Sequence, residues 1–173
     1  MRTLPWLIGG LALTGCASMM GGGAPGATAD LKDAKGQSIG TATLSEQGGK
    51  VRLVVQAKGL TPGKHGIHVH AVGSCEPPAF TSAGGHYNPL SRKHGLETPD
   101  GAHAGDLPNL EADASGNARY EATTDRITLS DGLLSVFDAD GSAVVIHAKE
   151  DDQKTDPTGN SGDRVACGVI VKR

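Results

Sequence analysis

Six of the seven histidines in this 173-residue chain crowd between positions 65 and 103: His65, His68, His70, His86, His94 and His103. The seventh, His147, closes a late apolar run, and Asp106 follows His103 by three residues. Neutral imidazole is the commonest protein metal ligand, and a mixed histidine and carboxylate set suits zinc, copper or iron. His68 and His70 are two apart in GIHVHAV, a β-branched run. On a strand, residues i and i+2 share a face, so both imidazoles can reach one ion while Val69 points away. His86, His94, His103 and Asp106 follow at intervals of eight, nine and three, in a stretch rich in Gly, Pro and Asn. A segment of that length without helix or strand is usually functional or disordered. Metal ligation is one way to order it.

The length fits one domain. A formal charge of −3 argues against nucleic acid as a partner. Aromatics are 3% and glycines number 26, which favours short strands and many turns over a large helical core. Strand-like runs ADLKDAKG, SIGTATLSE, KVRLVVQAKG and HGIHVHAVG precede an irregular segment from about Gly73 to Pro108. NLEADASG, NARYEATT, AVVIHAKE and ACGVIVK follow it. SEQGGK and DASGN carry turn residues at the bends. Ala42 and Leu44, then Leu53 and Val55, alternate with their neighbours as half-buried antiparallel strands do. ITLSDGLLSVFDADGS carries a weak helical-turn signal. Some eight strands predict an all-β, Greek-key β-barrel or sandwich.

Five segments in order, GIHVHAVGSC, SAGGHYNP, KHGLETPDGAHAGDLPNL, VVIHAKEDD and TGNSGDRVACGVI, resemble the copper–zinc superoxide dismutases. The resemblance covers nearly all of residues 30–172. It implies a sandwich-type barrel with long metal-binding and electrostatic loops, and one copper and one zinc per subunit. It assigns copper to His68, His70, His86 and His147, and zinc to His86, His94, His103 and Asp106, with His86 bridging the ions. Ligand chemistry agrees: zinc favours a closed tetrahedron of N and O donors, and four imidazoles suit tetragonal Cu(II). The implied reaction turns superoxide into dioxygen and hydrogen peroxide, with His86 releasing copper and taking up a proton. Arg164 matches the arginine beside the copper that attracts the anion. Asp151 matches the aspartate that links His68 to His94 through their outer nitrogens. His65 matches a position that supports the copper ligands without binding metal, and Thr158 a position lining the channel.

Two features depart from the animal enzymes: Cys75 lies only five residues after His70, which looks more like exported bacterial forms, and the stretch from His147 to Arg164 is shorter. The charges that steer substrate therefore do not carry over, leaving Lys149 and Lys154 as candidates. Two rival readings are a dismutase-like module that buffers copper without turnover, and a zinc hydrolase. The first is favoured by loss of a ligand, of Arg164 or of the disulfide, and none is missing. The second needs an open zinc position, and four protein ligands leave none.

Residues 1–15 read as a secretory signal, with Arg2 before the apolar stretch LPWLIGGLALTG. The stretch is too short to span a membrane as a helix. Leu13-Thr14-Gly15-Cys16 resembles a bacterial lipobox, which implies cleavage before Cys16 and lipid attachment to it. An ordinary signal peptide cut nearby, such as after an Ala, is the alternative. Residues 16–29 read as a Gly-rich flexible tether reaching on the order of 20 Å, and residues 30–173 as the catalytic domain. Losing Arg2 makes the mature chain more negative, so drawing in an anion requires a local positive region. With Cys16 lipidated, Cys75 and Cys167 remain, and they match the family's disulfide positions in a compartment that permits one. The expected location is the bacterial periplasm or cell envelope. The membrane is met only through the lipid anchor, at the outer membrane if the host has one. Bacterial members differ in how subunits pair, so a homodimer is left open.

Overall fold

The structure, a computed structural model, describes residues 26–173; the segment predicted as a secretory signal, Cys16, and the predicted tether up to Pro25 lie outside them. Ten strands form one antiparallel sheet: β1 Gly26–Asp33, β2 Ser38–Gln47, β3 Lys50–Ala57, β4 Gly63–His65, β5 Ile67–His70, β6 Leu110–Ala112, β7 Ala118–Thr124, β8 Ala143–His147, β9 Arg164–Val169 and β10 Val171–Lys172. The strand order is β4-β6-β7-β3-β2-β1-β9-β8-β5, with β10 beside β1. The two ends of that path, β4 and β5, are consecutive in the chain and separated by Gly66 alone. Gly66 donates to Lys149 O and accepts from His147 N, both at 2.8 Å, so the sheet curls into a nearly closed barrel.

The all-β barrel is the expected class. There are ten strands rather than eight because two predicted runs are broken. HGIHVHAVG splits at Gly66 so that its halves serve opposite sides of the seam, β4 pairing with β6 and β5 with β8. ACGVIVK splits at Ile170, whose N–H turns aside to Ser142 O. The first strand begins at Gly26, inside the segment predicted as tether. Ala27, Thr28 and Ala29 pair with Leu44, Thr43 and Ala42 of β2, because alternation of small buried residues suffices for a strand packed on both sides. ITLSDGLLSVFDADGS forms no helix. Its main-chain N–H groups at Leu129 and Ser130 are taken by the Glu46 carboxylate at 2.8 and 2.9 Å, which satisfies them without a helical ladder.

Strand alternation fills the interior. β3 buries Val51, Leu53, Val55 and Ala57, and β7 buries Ala118, Tyr120, Ala122 and Thr124. A smaller cluster of Phe80, Ala83, Ala143, Val145 and Cys167 lies beneath the long loop after β5. The Cys75–Cys167 disulfide, 92 residues apart in sequence with Cα atoms 5.6 Å apart, fastens that loop to β9. Closing a loop of that size stabilises by about 4–5 kcal/mol in the chain-entropy model. The loop's only helical piece is a 3-10 turn at Thr81–Ala83.

Candidate metal centre

All seven histidines are buried, with Asp106 and Asp151. His68 and His70 lie on β5, His147 ends β8, and His86, His94, His103 and Asp106 come from the long segment between β5 and β6. The expected i, i+2 pairing holds: His68 and His70 join His86 and His147 in one group of potential ligand atoms lying within 4.8 Å of one another. His86, His94, His103 and Asp106 form a second such group. His86 belongs to both.

Hydrogen bonds decide which nitrogen each ring turns inward. Nε2 of His68 donates to Asp151 Oδ2 at 2.6 Å, so its lone pair sits on Nδ1. His70 and His147 are reversed: Nδ1 of each donates to a main-chain carbonyl, Gly84 O at 3.0 Å and Gly162 O at 3.1 Å. Their Nε2 atoms then face each other at 3.3 Å as two acceptors. His68 Nδ1 and His86 Nε2 are buried with no hydrogen-bond partner at all. Unpartnered buried acceptors are costly, and four converging imidazole lone pairs are what a copper ion would satisfy.

The second group converges on Asp106 Oδ1, which lies 3.0 Å from His86 Nδ1, 3.0 Å from His94 Nδ1 and 3.4 Å from His103 Nδ1. A tetrahedron with zinc–ligand bonds of about 2.0–2.1 Å has edges of about 3.3 Å, so the four atoms already stand near zinc spacing. The other carboxylate oxygen, Oδ2, accepts from the N–H groups of Gly95 and His103 at 2.8 and 2.9 Å, leaving Oδ1 for the cluster.

Electrostatics act differently on the histidines of the two groups. Burial, followed by the neighbouring histidines, pulls His70 well below its ordinary value. Burial takes His86 down to about 4, against the pull of Asp106, and His147 down to about 3. These rings are held neutral, the state that binds metal. His94 differs. Burial opposes its proton, but Asp106 and Asp151 flank it and raise it to about 9. Burial alone would raise the Asp106 and Asp151 carboxyls. Hydrogen bonds from His103, His86 and His94 on Asp106, and from His68 and His94 on Asp151, hold both well below the usual carboxylate range.

Asp151 takes the bridging place expected of it, with Oδ2 on His68 and Oδ1 on His94 Nε2 at 3.0 Å. His65 Nδ1 lies 2.7 Å from His147 O and Nε2 lies 2.8 Å from Thr61 O, so both ring nitrogens are engaged by main-chain carbonyls and the ring holds the His147 main chain in place. Arg164 and Thr158 line a cleft of about 690 Å³ together with His70, His86, His103 and His147. Arg164 is anchored there by Nη1 to Phe80 O and Nη2 to Gly84 O, at 2.6 and 2.5 Å. Lys149 and Lys154 do not line this cleft; Lys154 pairs with Glu97 at 2.9 Å on the surface.

Three residues of the site carry no signal in the sequence. Asn109 makes a reciprocal pair with the Asp151 main chain, accepting from Asp151 N at 2.9 Å and donating to Asp151 O at 2.8 Å. Asp156 accepts from His94 N at 2.8 Å. Gly159, at φ +61°, passes so close to Asp151 that a Cβ there would overlap its carboxylate. DLPNL and DPTGN mark turns, but they do not say which carboxylate the turn must approach.

A nearly closed antiparallel barrel carrying two adjacent histidine clusters that share one imidazole is a scaffold suited to holding two neighbouring metal ions. Residues 38–170 match the family model described as copper/zinc superoxide dismutase. The chain is 47% identical to superoxide dismutase (Cu-Zn) 2 of Aquifex aeolicus, over 83% of this chain and 85% of that one. It is 45% identical to the superoxide dismutase (Cu-Zn) of Caulobacter vibrioides, over 83% and 84%. The crystal structure of a SOD-like protein from Bacillus subtilis superposes with a TM-score of 0.80 at 38% identity, covering 83% of this chain and 97% of that one. The chain belongs to the copper/zinc superoxide dismutase family.

Proposed function

We propose that this protein is a superoxide dismutase of the bacterial cell envelope, with copper held by His68, His70, His86 and His147 and zinc by His86, His94, His103 and Asp106. The observation that carries the reading is the pair of orphaned buried atoms, His68 Nδ1 and His86 Nε2, beside a cluster that His86 also enters through Nδ1. When bound, copper supplies a one-electron acceptor and donor for two successive superoxide ions, and zinc a fixed cation that orders the loop.

The chain's own groups supply the rest. Arg164 places a permanent positive charge on the wall of the cleft, where a small anion enters an otherwise acidic protein. Its two main-chain acceptors keep it from swinging away. His86 Nε2 is the atom suited to carry a proton between the two half-reactions, since it is buried, unpartnered and at the cleft. Asp151 ties His68 to His94, so the two ligand sets move as one. Elemental analysis with a superoxide-consumption assay tests the reading. One copper and one zinc per chain, with activity lost on copper removal and restored by copper alone, is the expected result. Zinc binding without dismutation would leave a structural or copper-buffering module.

The location and anchor belong to the same proposal. The apolar leader, the lipobox-like Leu13–Cys16 and the Gly-rich stretch after it support lipid attachment at Cys16. Cys16→Ser should release the protein from membranes at full specific activity; continued membrane partitioning would assign the anchor to another element.

A further inference from the structure

Arg126 follows β7 and is half-buried. Its Nη2 donates to the main-chain oxygen of Asp106 at 2.7 Å, while its Nε–H is buried without any acceptor. Among the described residues, the ion pairs of lysine and arginine are Arg52–Glu121, Lys64–Glu150 and Lys154–Glu97, so no carboxylate balances Arg126. A guanidinium in that position gives up hydration without an ion pair in return. The one strong contact it makes is on a residue of the zinc cluster.

The geometry around Asp106 shows what that contact adds. The carboxylate is fixed within its own loop by the N–H groups of Gly95 and His103. On one side the preceding residue is tied to β5, where Val69 N donates to Gly105 O at 2.9 Å. On the other side, Arg126 reaches across from the end of β7 and holds the carbonyl of Asp106 itself. Asp106 is thus clamped between two walls of the barrel, and the direction of its Oδ1 is set by both.

We propose that Arg126 is a positioning residue for the zinc site, holding the Asp106 main chain so that Oδ1 enters the three-histidine cluster at zinc spacing. The inference rests on the assignment of zinc to His86, His94, His103 and Asp106. Arginine keeps its charge permanently, and its rigid planar guanidinium fixes the direction of the Nη2–H given to Asp106 O, which a flexible ammonium or a neutral amide does less well.

The test compares the wild-type chain with Arg126→Gln and Arg126→Lys, each stripped of metal and titrated with Co(II) alone against a competing chelator. Arg126→Gln should bind cobalt about 10–100-fold more weakly, as is typical when a group supporting a metal ligand is removed. Its ligand-field spectrum should shift, and copper content should stay at the wild-type level. Arg126→Lys should recover part of the affinity and keeps the test open if the glutamine variant does not fold. The loss in thermal midpoint should be larger in zinc-loaded than in metal-free protein, since weaker zinc binding removes ligand-linked stability. Equal losses in both forms, with cobalt affinity and spectrum unchanged, would mean that Arg126 only packs the loop, and the proposal falls. A wild-type chain with no tetrahedral cobalt spectrum would instead overturn the zinc assignment beneath it.

Discussion

The Nε2 atoms of His70 and His147 face each other at 3.3 Å, yet neither ring has a proton to give, because each commits its Nδ1–H to a carbonyl. Two buried lone pairs held this close are relieved by a shared cation. The fold builds this arrangement with residues 77 apart, one at the end of β5 and one at the end of β8. The antiparallel register sets Ile67 opposite Ile146 and His70 opposite Ala143, so the two histidines stand at opposite ends of the β5–β8 ladder and their long side chains close the gap between them.

His86 should behave unlike every other ligand. Changing it to Ala removes Nδ1 from the Asp106 cluster and Nε2 from the His68 cluster together. Both zinc and copper retention should fall. His94→Ala should mainly weaken zinc, and His147→Ala mainly copper. Metal content with the Cu(II) spin-resonance spectrum reads this out. Loss of a single metal in His86→Ala, with the other's spectrum intact, would mean two independent sites.

Arg164→Ala should slow superoxide consumption while leaving copper and zinc in place. Charge steering contributes about 10–10³ in rate and weakens with salt. The variant should therefore be slower at low ionic strength and less sensitive to added salt. An unchanged rate with unchanged salt dependence would remove Arg164 from the anion's path.

Gly159→Ala should fold but lose zinc. The added methyl would overlap the Asp151 carboxylate and lie 2.7 Å from His94 Nε2, at a backbone φ that favours glycine. Asp151 must move, and the tie between His68 and His94 breaks with it. Chelator competition should show at least about 10-fold weaker zinc binding. Wild-type zinc affinity in this variant would show that the Asp151 bridge is dispensable.

Metal-free protein should be most stable near neutral pH. His86 and His147 titrate at about 4 and about 3 in the fold, against about 6.5 when unfolded. Stability therefore falls as pH drops from about 6.5, because the unfolded chain binds the protons first. The lowered Asp106 and Asp151 add to the loss below about pH 4. His94 has the opposite sign: its contribution is complete below about 6.5 and disappears as pH rises through about 9. Thermal midpoints across pH 4–10 check this, and a midpoint that does not change between pH 6.5 and 4 would contradict it.

Much of this site was legible in the sequence because its signals are local. The two-residue step from His68 to His70 puts both on one face of a strand whatever surrounds it, and alternation along β3 and β7 marks the inward side chains. Tertiary structure decided what depends on distant groups. His68 turns Nδ1 inward only because Asp151, 83 residues away, takes Nε2, and His147 is held by His65 across 82 residues. No periodicity encodes such a choice, since both ring nitrogens are equally available until a partner claims one. The same holds for the break at Gly66, which reads as continuous strand until the barrel must close there. The start of β1 at Gly26 likewise needs β2 beside it to distinguish a strand from a tether. Sequence by itself thus determined which residues can ligate and which faces are buried, through spacing and side-chain chemistry. The closed barrel alone determined which atom of each residue faces inward, because long-range hydrogen bonds fix the rings.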